Sequence, residues 1–309
     1  MKLSIVTTLY NSQNYLEEFY FRATETAVKF THDYEIIFVN DGSPDNSLEV
    51  ALKLRENDER LKVVDLSRNF GHHKALMCGL RYSCGEYVFL LDSDLEEEPE
   101  LFETLYSALD NNECDMAVGV QEDRNGGFIK SFGGSLFYKF FNIFSATPVP
   151  AGVTTARVMT RRFVDALLQH EEKELFFAVL CAITGFKQTT IPVVKPYKGK
   201  TSYSFYRRLE QAVDAITSFS NKPLYIIFVI GWGVLLFSGS YIVWILVQKL
   251  FFEMRVGYAS VIASIWAVGG LLMMCTGIIG IYLGKIFSET KNRPTVVKDV
   301  WGDFGGKKN

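Results

Sequence analysis

"YEIIFVNDGSPDNS", residues 34–47, decides the fold. An apolar, β-branched run breaks at Asn40. A turn of Asp41, Gly42, Ser43, Pro44 and Asp45 follows, then a helical pattern from about Leu48 to Asn57. Asp, Gly, Ser and Pro are the residues a tight turn demands. The form recurs on both sides. "KLSIVTTLY" (2–10) runs into Asn11-Ser12 and a helical pattern from about Tyr15 to Phe30. "LKVVDLSRNFGHHKALMCGLRYS" (61–83) is strand, loop and helix, and "EYVFLLDSD" (86–94) is a fourth strand. Strands alternating with helices predict an α/β fold with a mainly parallel sheet covered on both faces. Ligands of such sheets bind beyond the carboxyl ends of the strands. Those ends carry Thr7 to Asn11, Asn40 to Ser43, Ser67 to Gly71, and Asp92 with Asp94, all on one edge. No GxGxxG or GxxxxGK[ST] is present, so neither a dinucleotide fold nor a P-loop is indicated.

The fourth strand ends in "VFLLDSDLEEEPE" (88–100), with six acids in nine positions. Asp92 and Asp94 flank small Ser93 just past the strand. Hard-oxygen pairs of this kind suit Mg²⁺ or Mn²⁺ shared with a diphosphate. Glu97, Glu98 and Glu100 precede a helical pattern (Leu101 to Leu109) and suit a helix N-terminus, as does Pro99. Glu96 fits either group.

The net charge of −3 over 309 residues gives no sign of nucleic-acid binding. The five cysteines (Cys78, Cys84, Cys114, Cys181, Cys275) have no CxxC or metal-ligand spacing, and read as reduced thiols in a reducing compartment. "MKLSIVTTLYN" has too short an apolar run for a signal peptide. From Leu224 the composition changes. Leu224 to Val247 is 24 residues without a charge, and Val256 to Gly284 is 29. About 20 helical residues cross a bilayer's apolar core, so each run predicts a span, joined by Gln248 to Arg255 as a tight hairpin. Arg207, Arg208 and Lys222 precede the pair; Lys285, Lys291 and Arg293 follow it. The positive-inside bias then places the large domain and both termini in the cytoplasm. The expected organisation is a catalytic domain over 1–200, a juxtamembrane amphipathic segment over 201–223, spans over 224–250 and 256–284, and a cytoplasmic tail over 285–309. Glycines 269, 270, 277, 280 and 284 allow close helix packing and self-association.

The order "TTLYN", "VNDGSPDNS", "DLSRNFGHHKAL", "DSDLEEEPE", two spans and "GIYLGKIFSETKNRP" resembles the family 2 glycosyltransferases of GT-A fold. Within them it resembles the membrane enzymes that move a sugar from a nucleotide to a polyprenyl phosphate, relatives of dolichol-phosphate mannose synthase. The resemblance covers nearly the whole chain; "LSRNFGH" and "KNRP" are its most specific parts. It implies that Thr7, Tyr10, Asn11 and Asp41 hold the nucleotide. It implies that Arg68 and Lys74 serve the uridine or guanosine diphosphate, and that Asp92 and Asp94 hold the metal. Tyr10 and Asn11 are equally ordinary turn residues. "MAVGVQEDR" (116–124) resembles the strand end where arginines meet the acceptor phosphate: Arg124 matches the second, and Gln121 stands where the first would be. "GKTSYSFYRRL" (199–209) resembles the approach to the membrane surface, where Arg207 and Arg208 meet lipid headgroups or the acceptor phosphate.

One departure concerns the chemistry. In "PVPAGVTTARVMTRRFVDAL" (148–167), Arg157, Met159, Arg161 and Arg162 align with the family, and Thr155 takes the place of an Asp regarded as the catalytic base. Threonine is no base near neutral pH. A phosphate monoester has a second pKa of about 6 and attacks as a dianion, so it has no proton to lose. A base worth roughly 10²- to 10⁴-fold for a hydroxyl nucleophile has little to do. The resemblance therefore implies an inverting transferase in which Asp94, Arg124, Thr155 and Arg157 carry the chemistry and Thr155 positions. Two rivals stand beside it: the same fold acting on another lipid-linked acceptor, and a non-catalytic membrane protein that binds nucleotide sugar.

Overall fold

A computed structural model describes residues 1–111, 113–121, 150, 152–170, 177–193, 222–251, 258–291 and 293–304. The elements are β1 (Leu3–Leu9), α1 (Leu16–Phe30), β2 (Tyr34–Asn40), α2 (Ser47–Asn57), β3 (Leu61–Leu66), α3 (His72–Tyr82), β4 (Tyr87–Leu90), α4 (Leu101–Asn111), β5 (Met116–Gln121), β6 (Val153–Thr160), α5 (Arg161–Leu167), α6 (Phe177–Ile183), β7 (Gln188–Val193), α7 (Lys222–Phe251), α8 (Tyr258–Lys291) and β8 (Val297–Trp301). The strands form one sheet in the order β7-β5-β6-β4-β1-β2-β3-β8.

The expected parallel half is present: β1 pairs with β2 and β4, and β2 with β3, all parallel. Every residue of β1, β2 and β3 is buried. This is the signature of parallel strands covered on both faces, and it explains why their text is almost continuously apolar. Ile5, Phe38, Val63 and Phe89 are fully buried, each stabilising the fold by about 1.5–3 kcal/mol. Helix α1 buries Leu16, Phe19, Tyr20, Ala23 and Ala27, the three-and-four spacing of one apolar stripe, with Glu17 and Glu18 in its first turn and Lys29 in its last. Phe102 of α4 packs against Phe89 of β4 and Phe30 of α1, at ring separations of 5.4 and 5.0 Å. This packing anchors the segment that follows β4.

The other half is mixed. β6 runs antiparallel to both β4 and β5, and β7 lies parallel to β5. The β4–β6 register pairs Leu90 with Arg157 and Phe89 with Val158. Continued two residues past the end of β4, it brings Thr155 opposite Asp92. A register fixed by buried side chains is thus what places a residue of β6 at the carboxyl edge.

The sheet and its helices, together with residues 293–304, form one compact unit; the two long helices form another. The first uncharged run lies within α7, and the second is helical from Tyr258 onward, within α8. Among the described residues, one stretch, Val268–Lys291, is long and apolar enough to cross a membrane; Leu224–Gly233 is a shorter apolar stretch. The juxtamembrane segment falls largely outside the described residues. The expected tail divides: α8 continues to Lys291, and Val297–Trp301 is a strand pairing antiparallel with β3.

Candidate active site

Four strand ends meet through side chains. Ser93, after β4, donates from Oγ to the Thr8 carbonyl of β1 and to Ser12 Oγ, both at 2.9 Å. Ser12 N donates to Ser47 Oγ at 3.0 Å, and Asn11 N to Ser43 Oγ at 2.8 Å. Ser43 and Ser47 both donate to Asp45 Oδ1 at 2.5 Å, and Gln13 N donates to Asp45 Oδ2. Burial alone would raise the Asp45 carboxyl; the hydroxyls of Ser43 and Ser47 and the amides of Gln13 and Ser47 hold it below its usual value. Asn11 takes a positive φ of 56° and Tyr10 stands half exposed beside it. Thr7, expected at the nucleotide, is fully buried, its hydroxyl without a hydrogen-bond partner among the described residues. Side chains alternate along a strand, so its neighbour Thr8 faces the site instead.

Asp41 is buried and accepts from Phe70 N (2.7 Å) and Gly71 N (3.0 Å). Gly42 has φ +57°, and a Cβ there would lie 2.5 Å from Asn69 N. The Asp-Gly turn is therefore packed against the backbone of the 67–71 loop, and only glycine permits that approach. Asp41 reaches the site as the holder of this loop. Arg68 lies on the loop's exposed side, 4.2 Å over the Phe70 ring, donating to the Asn69 carbonyl. Lys74 is half-buried in the first turn of α3.

α3 starts with His72. Its Nδ1 lies 3.1 Å from Thr8 Oγ1 and its Nε2 3.5 Å from Asp92 Oδ1. His73, turned inward, is pushed down to about 4 by burial, with His72 and Arg157 adding, and is neutral in the cell. Burial raises the Asp92 carboxyl; His72 opposes this, Glu97 adds to it, a hydrogen bond with the Thr155 side chain opposes it, and Asp94 adds again. Asp94 Oδ1 accepts from Glu96 N at 2.9 Å across a turn in which Leu95 has φ +59°.

Glu97 corrects its assignment to the helix start. It is 1% exposed and accepts from Thr155 N at 3.1 Å. The turn at Leu95 directs it under the edge, towards β6. Its neighbours do stay at the start of α4, where Arg22 of α1 meets Glu98 at 3.5 Å and Glu100 at 2.7 Å. Arg157 also differs from its expected place at the reacting groups. It is 4% exposed, and donates to the carbonyls of Thr155 (3.0 Å) and Thr154 (2.5 Å) and to Cys181 Sγ (3.5 Å), with its guanidinium over Phe177. Arginine presents five donors in a rigid fork, and these three brace the strand behind Thr155. Arg124 and Arg207 lie outside the described residues. Gln121, at the end of β5, donates its backbone N–H to the Gly152 carbonyl at 3.0 Å.

Thr8, His72, Asp45 and Glu97 were not singled out as site residues from the sequence. His72 had a signal, its place in "LSRNFGHH". Glu97 looked like one more charge among six.

Among the described residues, no cluster of three or more His, Cys, Asp or Glu is built to hold a metal by itself. Asp92 and Asp94 supply two hard-oxygen donors at one strand end. Mg²⁺ and Mn²⁺ sites use this sparse set when substrate phosphate completes the shell. The residues present fit such an ion.

A family profile described as glycosyl transferase family 2 matches residues 4–168. A protein from Mycobacterium tuberculosis (strain CDC 1551 / Oshkosh), described as "Putative glycosyltransferases", is 45% identical over 304 residues, covering 98% of this chain and 89% of its own length. The SfII prophage-derived bactoprenol glucosyl transferase of Shigella flexneri is 30% identical over 301 residues, 96% of this chain and 97% of its own. Among solved structures, the mannosyltransferase PcManGT from Pyrobaculum calidifontis, in complex with GDP-Man and Mn²⁺, has the same fold at TM-score 0.51 and 17% identity, over 94% of this chain and 86% of that one. The polar carboxyl edge falls within the residues that the family profile matches, and the chain belongs to glycosyl transferase family 2, with the GT-A fold.

Proposed function

We propose that this glycosyltransferase moves a sugar, with inversion, from a UDP- or GDP-linked donor to the phosphate of a polyprenyl phosphate, for cell-envelope glycan assembly. The observation that carries the reading is the company of Asp92. The β4–β6 register sets Thr155 opposite it, His72 flanks it, and β6 presents no carboxylate there. That arrangement suits a nucleophile that arrives already ionised, as a phosphate does. The match along nearly the full length of the bactoprenol glucosyl transferase supports the same acceptor class.

In this reading the donor lies across the strand ends. Tyr10, Asn11 and the loop held by Asp41 take the nucleoside; Arg68 and Lys74 serve the diphosphate. A divalent ion on Asp92 and Asp94 would supply charge neutralisation at the leaving diphosphate. An acceptor phosphate oxygen bonds to the sugar's C1 as the bond from C1 to the donor's β-phosphate oxygen breaks. The electron pair leaves with the nucleoside diphosphate, and no proton needs removing. Thr155 orients Asp92, and Glu97 orients Thr155 through its backbone N–H. Arg124 and Arg207 meet the acceptor phosphate and lipid. The runs 224–250 and 256–284 form a two-span hairpin that keeps the domain and both termini at the cytoplasmic face of the inner membrane. The 201–223 segment lies on the membrane surface, and the glycine-rich second run supports self-association.

The test is nucleoside-diphosphate release by purified protein in detergent, with polyprenyl phosphate, Mg²⁺ and one nucleotide sugar at a time. Release that requires both lipid and metal is expected, and the active donor names the sugar. Nucleotide binding without lipid-dependent release from any donor would overturn the acceptor assignment.

A further inference from the structure

The sheet ends on a strand that comes from the far end of the chain. β8 pairs antiparallel with β3, matching Val64 with Val300 and Asp65 with Asp299; the register then shifts, so that Leu66 faces Val297. Lys298 is the extra residue at this irregularity, and bulges of this kind re-aim a side chain. Its Nζ lies 3.6 Å from Asp65 Oδ2. Asp65 is buried, one residue before the end of β3, and its Oδ1 accepts from Asn40 Nδ2 at 2.7 Å. Asn40 Oδ1 in turn accepts from Ser43 N at 3.3 Å, inside the Asp-Gly-Ser turn.

Two further contacts bind the same segment to the ends of the loop-and-α3 unit. Ser67 N, where the loop begins, donates to the Val296 carbonyl at 3.0 Å. Phe304 is buried against Tyr82, the last residue of α3, at 4.8 Å, and lies 4.9 Å from Lys62 Nζ. The segment thus grips the loop before α3 and the end of α3, and reaches the nucleotide turn through Asp65 and Asn40. Covering a sheet edge needs only the backbone of β8. A lysine set beside a buried carboxylate goes beyond that need, because it supplies the carboxylate with a charge of opposite sign.

We propose that residues 293–304 are a strap that positions the donor turn and the 67–71 loop, with Lys298 a positioning residue acting through Asp65 and Asn40. This rests on the strand ends being the donor site.

The experiment compares the full chain in detergent with Lys298→Met and Lys298→Arg. It measures the Kd of UDP and of GDP, each with Mg²⁺, and amide hydrogen exchange by peptide. Lys298→Met is expected to weaken nucleotide binding about fivefold, the scale of one ion pair. It should also speed exchange in peptides covering 40–43 and 67–74 while α1 and α4 keep wild-type rates. Lys298→Arg should restore both. Unchanged Kd and exchange would overturn the strap. So would a uniform rise in exchange across the domain that arginine does not rescue, which marks a purely structural strand. If the wild type binds neither nucleotide, the donor reading falls, and local exchange at 67–74 still decides the strap.

Discussion

Asp92 concentrates the chemistry because three elements converge on it: His72 from α3, Thr155 from β6 and Glu97 from the segment before α4. Replacing Asp92 or Asp94 by Asn keeps the shape and removes a charge. Each should lower transfer by about 10²-fold or more, as loss of one preorganised electrostatic group does. Thr155 is the sharper probe. Thr155→Ser keeps the hydroxyl and should retain near wild-type kcat. Thr155→Val removes it and should cost about tenfold in kcat with donor KM little changed, the worth of one hydrogen bond to a charged group. Thr155→Asp would set a further carboxylate against Asp92 and Glu97 and should be poorer still. A gain in rate from Thr155→Asp, measured by nucleoside-diphosphate release, would mean that a base is wanted after all.

The elements explain why this site is held rather than merely assembled. The 67–71 loop is fixed on one side by Asp41 and on the other by close contact with Gly42. Gly42→Ala sets a Cβ at φ +57° against the Asn69 backbone. It should destabilise the domain by roughly 1–3 kcal/mol and weaken UDP or GDP binding more than Thr155→Val does, as read by thermal unfolding and calorimetric titration. The strand–turn–helix text of β1 to β4 was legible because each strand is buried on both faces and each turn spells out its geometry, as Asp41-Gly42-Ser43 does. β7 and β8 were not. Their neighbours in the sheet are distant in sequence, and neither "QTTIPV" nor "VKDVW" carries information about its partner. Thr155 was legible as a departure from a motif, but its contact with Asp92 depends on the β4–β6 register. Arg157 and Thr7 were misplaced for one reason: residue type says what a side chain can do, and only the fold says which way it points.

At the scale of the whole molecule, the sheet is completed by a strand encoded after both long helices, so the unit that holds it takes in residues on either side of 222–291. The two-span hairpin proposed above accords with this order, since an even number of crossings returns the chain to the side it left. The cysteines report on which side that is. Cys84 is exposed on the catalytic unit, Cys114 and Cys181 are buried, and burial pushes the Cys78 thiol up to about 12. The thiolate is the reactive form, so Cys78 should react more slowly than Cys84. Cys275 lies within the apolar second run. A membrane-impermeant maleimide should therefore label the native protein chiefly at Cys84. In intact spheroplasts that label should be absent, in inside-out membrane vesicles it should appear, and Cys84→Ser should abolish it. Labelling of Cys84 in intact spheroplasts would put the catalytic unit on the outer face, out of reach of cytoplasmic nucleotide sugars, and the proposed donor chemistry would fail with it.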